Sequence, residues 1–452
     1  LRCGIWDRTS YIPNLDTTPI EVKMTAFWNE KIETMPREEL ADLQLERLQV
    51  TLNRGYAKVD FYRQRFEELG FLPEDINSME DLARLPCTTV NDLVEHYPYG
   101  LFSVPLKSIV RLKFSAAPRI RPLVIGYTQR DVQNWLEVMA RHMIAMGIGV
   151  RDIIQVAFNY GLFTGAFTFN HAAELIGATV APTSIASATI QIQIMQDFRS
   201  TVLATSPTFA MHIAETRERL GIDLDQTFLR IGLFGPEAMS PDVRRRLEER
   251  LRIQAYTVYG VNEMVEPGMA AECQEKSGLH LAEDHFYPEI VDPDSCQPLA
   301  QGQEGELVVT TLTNEGYPLI RFRTGDVTTL DSSPCPCGRT GVRMAPPLSR
   351  SDDLFMVRGI SIHPEQVKRL LGEAAPEVES YRIIVRKRDG LNDQLELQVA
   401  YPENYVSEWY HTHALADDIR AHLRRALGLG VKVKLMEASN LAEDVGRVVF
   451  EE

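Results

Sequence analysis

Apolar positions in the first hundred residues recur at helical spacing. Pro36-Arg37-Glu38-Glu39-Leu40 opens a helix whose apolar positions include Leu40, Leu43, Leu48 and Leu52, and residues 81–98 read as a loop-rich bridge into the main body. From about residue 120 short apolar runs alternate with amphipathic stretches. Residues 122–127 form one such run, and Thr128-Gln129-Arg130-Asp131 makes a capping box ahead of a helix carrying Val132, Trp135, Leu136, Met139 and Met143. Strands are predicted at residues 153–157, 201–205, 229–234 and 254–258. Ser206-Pro207 and Ser240-Pro241 pair an N-cap with a first-turn proline, so a helix follows each. Strands alternating with helices of this length predict βαβ units around a buried parallel sheet, an α/β fold.

After residue 285 the pattern changes. Gly305-Glu306-Leu307-Val308-Val309-Thr310-Thr311-Leu312 is strand-like with turns on both sides, which predicts a β-rich subdomain. The polar stretch Ser349-Arg350-Ser351-Asp352-Asp353 reads as a linker. Beyond it come a helix from Pro364, strands at 381–385 and 394–400, a helix over 409–427 and a last strand at 431–435, together a small α+β domain. There is no internal repeat and no low-complexity segment.

Composition narrows the class. The chain has 452 residues, enough for two or three domains, with 47 Lys+Arg against 63 Asp+Glu, a net charge of -16. That balance repels phosphate at long range and excludes a generic nucleic-acid or anionic-membrane binder, though not a local phosphate pocket. No apolar run is long enough to span a bilayer, and Leu1-Arg2-Cys3-Gly4-Ile5-Trp6-Asp7 lacks the apolar core of a signal peptide. A cytoplasmic protein is expected. Six cysteines, Cys3, Cys87, Cys273, Cys296, Cys335 and Cys337, are too few and scattered for a disulfide scaffold. The tight Cys335-Pro336-Cys337-Gly338 turn has the shape of a metal knuckle.

Five segments carry a resemblance. They are Tyr160-Gly161-Leu162-Phe163-Thr164-Gly165, Tyr259-Gly260-Val261-Asn262-Glu263, Glu283-Asp284-His285-Phe286-Tyr287-Pro288-Glu289, Ile320-Arg321-Phe322-Arg323-Thr324-Gly325-Asp326 and Val357-Arg358-Gly359-Ile360. In order and nearly without gaps, from about Asp81 to the C-terminus, they resemble phenylacetate–coenzyme A ligases, a branch of the adenylate-forming acyl-CoA synthetases. The resemblance implies a large N-terminal domain with two α/β sheets and a β-subdomain over residues 1–349, whose first hundred residues are a helical and linking lead-in. A hinge at 350–353 and a small lid domain over 354–452 follow. It also implies two-step chemistry. ATP and a carboxylate, with Mg²⁺, give an acyl-adenylate; the lid then turns and coenzyme A displaces AMP.

By the same resemblance Asp326 accepts hydrogen bonds from ribose, Arg350 contacts ribose or phosphate, and Tyr259 lies near adenine. Gly235-Pro236-Glu237 lines the adenine and acyl pocket, with Pro236 a departure. Glu263 helps hold Mg²⁺, a hard cation that favours oxygen, and Asp352 is the pivot of the lid. Phe158, Tyr160, Phe163 and Pro267 are candidate walls for a flat aryl acid. Cys273 and His280 are spaced C-x6-H; with Cys335 and Cys337 they make three thiols and an imidazole, a closed tetrahedral set for structural Zn²⁺ that relatives share. His285 is an alternative fourth ligand.

Two segments depart from the family. Where relatives carry Ser-Ser-Gly-Thr-Thr-Gly-Lys-Pro, this chain reads Ser115-Ala116-Ala117-Pro118-Arg119-Ile120-Arg121-Pro122, between matching flanks at Arg111 and Gly126-Tyr127-Thr128. Loss of glycines and threonines removes the backbone freedom and hydroxyl donors that wrap phosphate, and Pro118 removes an N–H. At the lid, Arg447 stands where relatives have the lysine that stabilises the adenylating transition state, and a planar fork does not copy an ammonium. Asn262 and Ile185-Ala186 are further departures. The expected function is AMP-forming ligation of an aryl acid to coenzyme A with an altered or weakened adenylation step, in a possible homodimer. The alternatives are a repurposed relative that binds or converts an acyl-adenylate or thioester without ATP, and a non-catalytic scaffold.

Overall fold

The structure is a computed structural model. It describes residues 26–115, 123–160, 165–265, 267–347, 349–357, 360–376, 378, 380–386, 394–400, 409–436, 441 and 448–451. Strands β1 (Ile109–Ser115) and β2 (Leu123–Thr128) pair as an antiparallel hairpin. Strands β3 (Ile153–Val156), β4 (Thr179–Ala181), β5 (Val202–Thr205), β6 (Ile231–Phe234) and β7 (Gln254–Tyr259) form the expected parallel sheet in the order β7-β6-β5-β3-β4. Its helices start where the caps predict. Thr128 Oγ1 accepts from the Asp131 N–H at 3.2 Å, and Asp131 returns the bond to the Thr128 N–H at 2.8 Å, opening helix Gln129–Ala145. Ser206 and Ser240 cap Pro207–Arg219 and Pro241–Leu251 by accepting from the N–H groups of Phe209 and Val243, without the return bond.

The sheet does not end at β7. Strands β8 (Ala270–Glu272) and β9 (Leu279–Leu281) extend it with antiparallel pairing, so the sheet is mixed. Three-residue strands carry too little alternation to stand out in sequence. Strands β10 (Phe286–Val291), β11 (Gly305–Thr311) and β12 (Phe322–Thr328) build the predicted β-rich unit. Strands β13 (Leu330–Asp331) and β14 (Arg343–Met344) then return to complete a nine-stranded sheet, and β15 (Ser349–Arg350) closes the four-stranded one beside β12. The resemblance implied two α/β sheets; between residues 109 and 350 the described residues show one nine-stranded sheet, the four-stranded sheet and the separate hairpin.

The lead-in is packed against this body. Leu48 and Leu52 of helix Arg37–Lys58 are fully buried in one core with Leu307, Val309 and Phe322. Gln44 Nε2 donates to Glu283 O at 2.9 Å and Thr51 Oγ1 to Leu312 O at 3.0 Å, which ties the helix to the β-rich unit. The sulfurs of Cys87 and Cys296 are bonded across 209 residues, a single staple and not a scaffold. No helix among the described residues is long and apolar enough to cross a membrane.

After β15 the chain makes a hairpin, β16 (Phe355–Val357) and β17 (Ile360–Ile362), and a four-stranded sheet from β18 (Tyr381–Arg386), β19 (Gln394–Ala400), β20 (Val431–Met436) and β21 (Val448–Glu451), ordered β20-β19-β18-β21. Helices Pro364–Ala374 and Trp409–Leu427 contribute Val367, Leu370, Ile419 and Leu423 to its own core. That is the predicted small α+β unit.

Candidate active site

Three elements far apart in sequence meet at Asp326. Tyr259 ends β7, Asp326 lies in β12, and β15 lays Arg350 directly opposite Asp326 in the ladder. Tyr259 Oη donates to Asp326 Oδ2 at 2.6 Å and Arg350 Nη1 donates to Asp326 Oδ1 at 2.5 Å. Arg350 reaches further: Nε and Nη2 grip Asp352 at 2.7 and 3.0 Å, and Nη2 also donates to Thr324 O at 2.9 Å. Gly325 is required here. Its φ is +77°, and a Cβ would stand 2.4 Å from Arg350 Nη2.

Burial sets the electrostatics. It pushes the Asp326 carboxyl above the usual range, against the pull of Arg350 and the Tyr259 hydroxyl. Burial, then the Asp326 charge, drives the Tyr259 phenol well above its ordinary value, so it remains a donor. Burial alone lowers the Arg350 guanidinium, but Asp352 and Asp326 outweigh it and hold Arg350 charged. The cluster is a fixed carboxylate braced from two sides, which suits a hydroxyl acceptor.

The other predicted residues lie in segments that follow β3, β6 and β7. Glu263 sits in the turn after β7, a turn pinned by the bond from Tyr127 Oη to Met264 O at 2.6 Å. Gly235 follows β6, with Val258 O of the next strand 3.1 Å from where its Cβ would be. Glu237 accepts from the backbone N–H and Oγ1 of Thr208, at 3.1 and 2.6 Å, and so braces the start of a helix. Phe158 stacks on Phe169 with centroids 5.4 Å apart, and Tyr160 packs on the same cluster with its hydroxyl donating to Asn170 Oδ1 at 3.2 Å. The Pro267 carbonyl is held by Trp135 Nε1 at 2.8 Å. Residues 116–122, Phe163 and Arg447 lie outside the described residues.

Sequence reasoning passed over Thr324. Its hydroxyl donates to Leu307 O at 2.8 Å and accepts from the Asp326 N–H at 3.1 Å, fixing the strand that carries the carboxylate. Its place two residues before Asp326 in the Thr-Gly-Asp segment was the available signal.

The cysteine–histidine set gathers at the far end of the nine-stranded sheet. Cys273 follows β8, His280 is in β9, and Cys335 and Cys337 lie in the turn between β13 and β14. All four ligand atoms fall within 4.8 Å of one another, with Cys273 Sγ 3.8 Å from Cys335 Sγ and Cys337 Sγ 3.4 Å from His280 Nε2. Gly338, at φ +85°, turns the knuckle. Four soft donors at this spacing fit a tetrahedral ion. His285 points elsewhere, to Thr313 Oγ1 at 2.7 Å and Asp284 at 3.1 Å, so it is not the fourth member.

Residues 127–314 match the AMP-binding enzyme family, and residues 359–449 match the AMP-binding enzyme C-terminal domain. The chain is 38% identical over 424 residues to a phenylacetate-coenzyme A ligase of Thermus thermophilus, covering 91% of this chain and 95% of that one. It is 39% identical over 411 residues to the phenylacetate-coenzyme A ligase of Aromatoleum evansii, covering 90% and 92%. Among solved structures it is similar to a 2-hydroxyisobutyryl-CoA ligase, 27% identical, covering 98% of this chain and 94% of that one. The TM-score is 0.89 to that ligase bound to its acyl-AMP and CoA in the thioesterification state, and 0.70 to its postadenylation state. The arrangement described here therefore matches the thioester-forming one more nearly.

Proposed function

The chain belongs to the phenylacetate–coenzyme A ligase family of AMP-binding enzymes, and from that premise we propose that it joins a small aryl acid to coenzyme A through an acyl-adenylate. The observation that carries this reading is the Asp326 carboxylate braced by Tyr259 and Arg350. Asp326 accepts hydrogen bonds from the ribose hydroxyls of the nucleotide, Tyr259 and the Gly235–Glu237 turn flank the adenine, and Glu263 would supply an oxygen ligand to Mg²⁺, which would offset phosphate charge. Phe158 and Tyr160, with Phe163 and Pro267, wall the aryl group. Asp352, gripped by Arg350, is the pivot on which residues 354–452 turn against residues 1–349 between the two half-reactions.

Adenylation is the weakened step, because the phosphate loop has lost its glycines and threonines and Arg447 replaces an ammonium. The relatives matched over nine-tenths of the chain are ligases, so a binder of preformed thioesters or a bare scaffold is not favoured.

Cys273, His280, Cys335 and Cys337 hold a structural zinc that ties the turn between β13 and β14 to the sheet edge; the fit of the donors supports this. Their free thiols suit a reducing cytoplasm, where the Cys87–Cys296 bond would open. The exposed stripe Leu106, Val110, Leu112 and Phe114 is surface that a second copy would cover in a homodimer.

Isotopic pyrophosphate exchange into ATP tests the reading. Exchange that depends on an aryl acid is expected; absence of exchange with every acid in a broad panel overturns it.

A further inference from the structure

Strand β1 is inside out. Val110, Leu112 and Phe114 are 57%, 52% and 39% exposed, whereas Lys113 is 1% exposed and Arg111 is half-buried. The cause is a bulge. Ile109 pairs with Thr128 but Arg111 pairs with Tyr127, so Val110 is an extra residue. In an unbulged register Val110 would pair with Tyr127 and Arg111 with Gly126, on the other side of the ribbon, since a one-residue shift exchanges faces. A strand that spends its inward positions on cations and its outward ones on aliphatics breaks the local rule, and such breaks mark functional sites.

The Arg111 guanidinium ends in an unmet need. Its Nη1 is shielded from solvent and has no hydrogen-bond partner among the described residues. It lies 5.9 Å from the Phe167 ring, which meets the Tyr160 ring edge-on at 5.3 Å. Tyr127, opposite Arg111, anchors Met264, next to Glu263. Arg111 thus borders the proposed aryl wall through Phe167 and connects through Tyr127 to the turn proposed for Mg²⁺. A guanidinium nitrogen shielded from water and left without an acceptor is costly unless an anion completes it, and the planar fork matches carboxylate and phosphate oxygens.

We propose that Arg111, with Lys113 adding charge on the same face, receives an oxyanion of the reactants, either the acid's carboxylate or a phosphate oxygen of the nucleotide. The inference deepens the ligase reading and rests on it.

The test is calorimetric titration of the full chain, wild type, Arg111→Gln and Arg111→Lys, with three probes: sodium phenylacetate, inorganic pyrophosphate and adenosine. Arg111→Gln is expected to weaken one or both anions by at least about tenfold while adenosine binds as in wild type. Loss confined to phenylacetate assigns the carboxylate; loss confined to pyrophosphate assigns the phosphate. Adenosine binding also reports that each variant is folded. Should Arg111→Gln not fold, Arg111→Lys, which keeps charge but not the fork, is expected to lose about threefold or more. Variants that bind both anions as wild type does overturn the inference, as does a wild type that binds adenosine and neither anion. A wild type that binds the anions through Arg111 but shows no acid-dependent exchange overturns the ligase reading instead.

Discussion

Arg350 holds Asp326 from the neighbouring strand and Asp352 from its own chain direction, at 2.5 and 2.7 Å, so one guanidinium links the carboxylate proposed to meet the ribose to the one proposed as the lid's pivot. Charge alone does not make that link; the fork does. Arg350→Lys is expected to weaken AMP binding by about tenfold and to leave secondary structure intact. Calorimetry with AMP checks it, and affinity equal to wild type would remove Arg350 from the cradle.

The cysteine–histidine set makes a prediction about metal. The purified chain is expected to carry about one zinc by plasma mass spectrometry, and a strong chelator should lower the melting temperature by about 10 °C. Cys335→Ser should reproduce the shift without chelator. A metal-free protein whose melting point ignores chelators contradicts the zinc assignment.

Arg447 supplies the third. If the planar fork is what slows adenylation, Arg447→Lys is expected to raise the acid-dependent pyrophosphate exchange rate by about tenfold. The thioester-forming half-reaction, started from chemically made acyl-adenylate, should be unchanged. A variant slower than wild type in exchange would show that this chain has adapted to its arginine.

His142 gives a pH dependence. Burial, and then the charge of Arg141, lowers its pKa to about 3, and its Nε2–H donates to Gly268 O at 3.1 Å in the neutral form. Because the folded value lies below the unfolded one, the unfolded chain binds the extra proton. The neutral ring's contribution is therefore complete above about pH 6.5 and falls by about 1.4 kcal/mol per unit as pH drops toward 3. Denaturant melts of wild type and His142→Gln should converge as the buffer is acidified. Parallel curves would refute the assignment.

Much of the fold was legible because it rests on local signals. The Thr128, Ser206 and Ser240 caps and the apolar runs at 153–157 and 254–258 each specify an element without reference to distant chain. The short strands β4, β8 and β9 were not legible, since three residues fit either period. The site was legible as a set of residue types through resemblance, but its geometry was not. Nothing local says that Asp326 faces Arg350 across 24 positions, or that a bulge at Val110 turns Arg111 inward. His285 illustrates the same limit: its spacing suited the metal set, yet Thr313 and Asp284 claim both ring nitrogens.

The most direct measurement is product analysis by mass spectrometry of the full chain with ATP, Mg²⁺, coenzyme A and a panel of aryl acids. The account predicts AMP and an acyl-CoA in equal amounts with at least one acid, and neither from Asp326→Ala. AMP and thioester from Asp326→Ala at the wild-type rate, or no product from wild type with any acid, would contradict it.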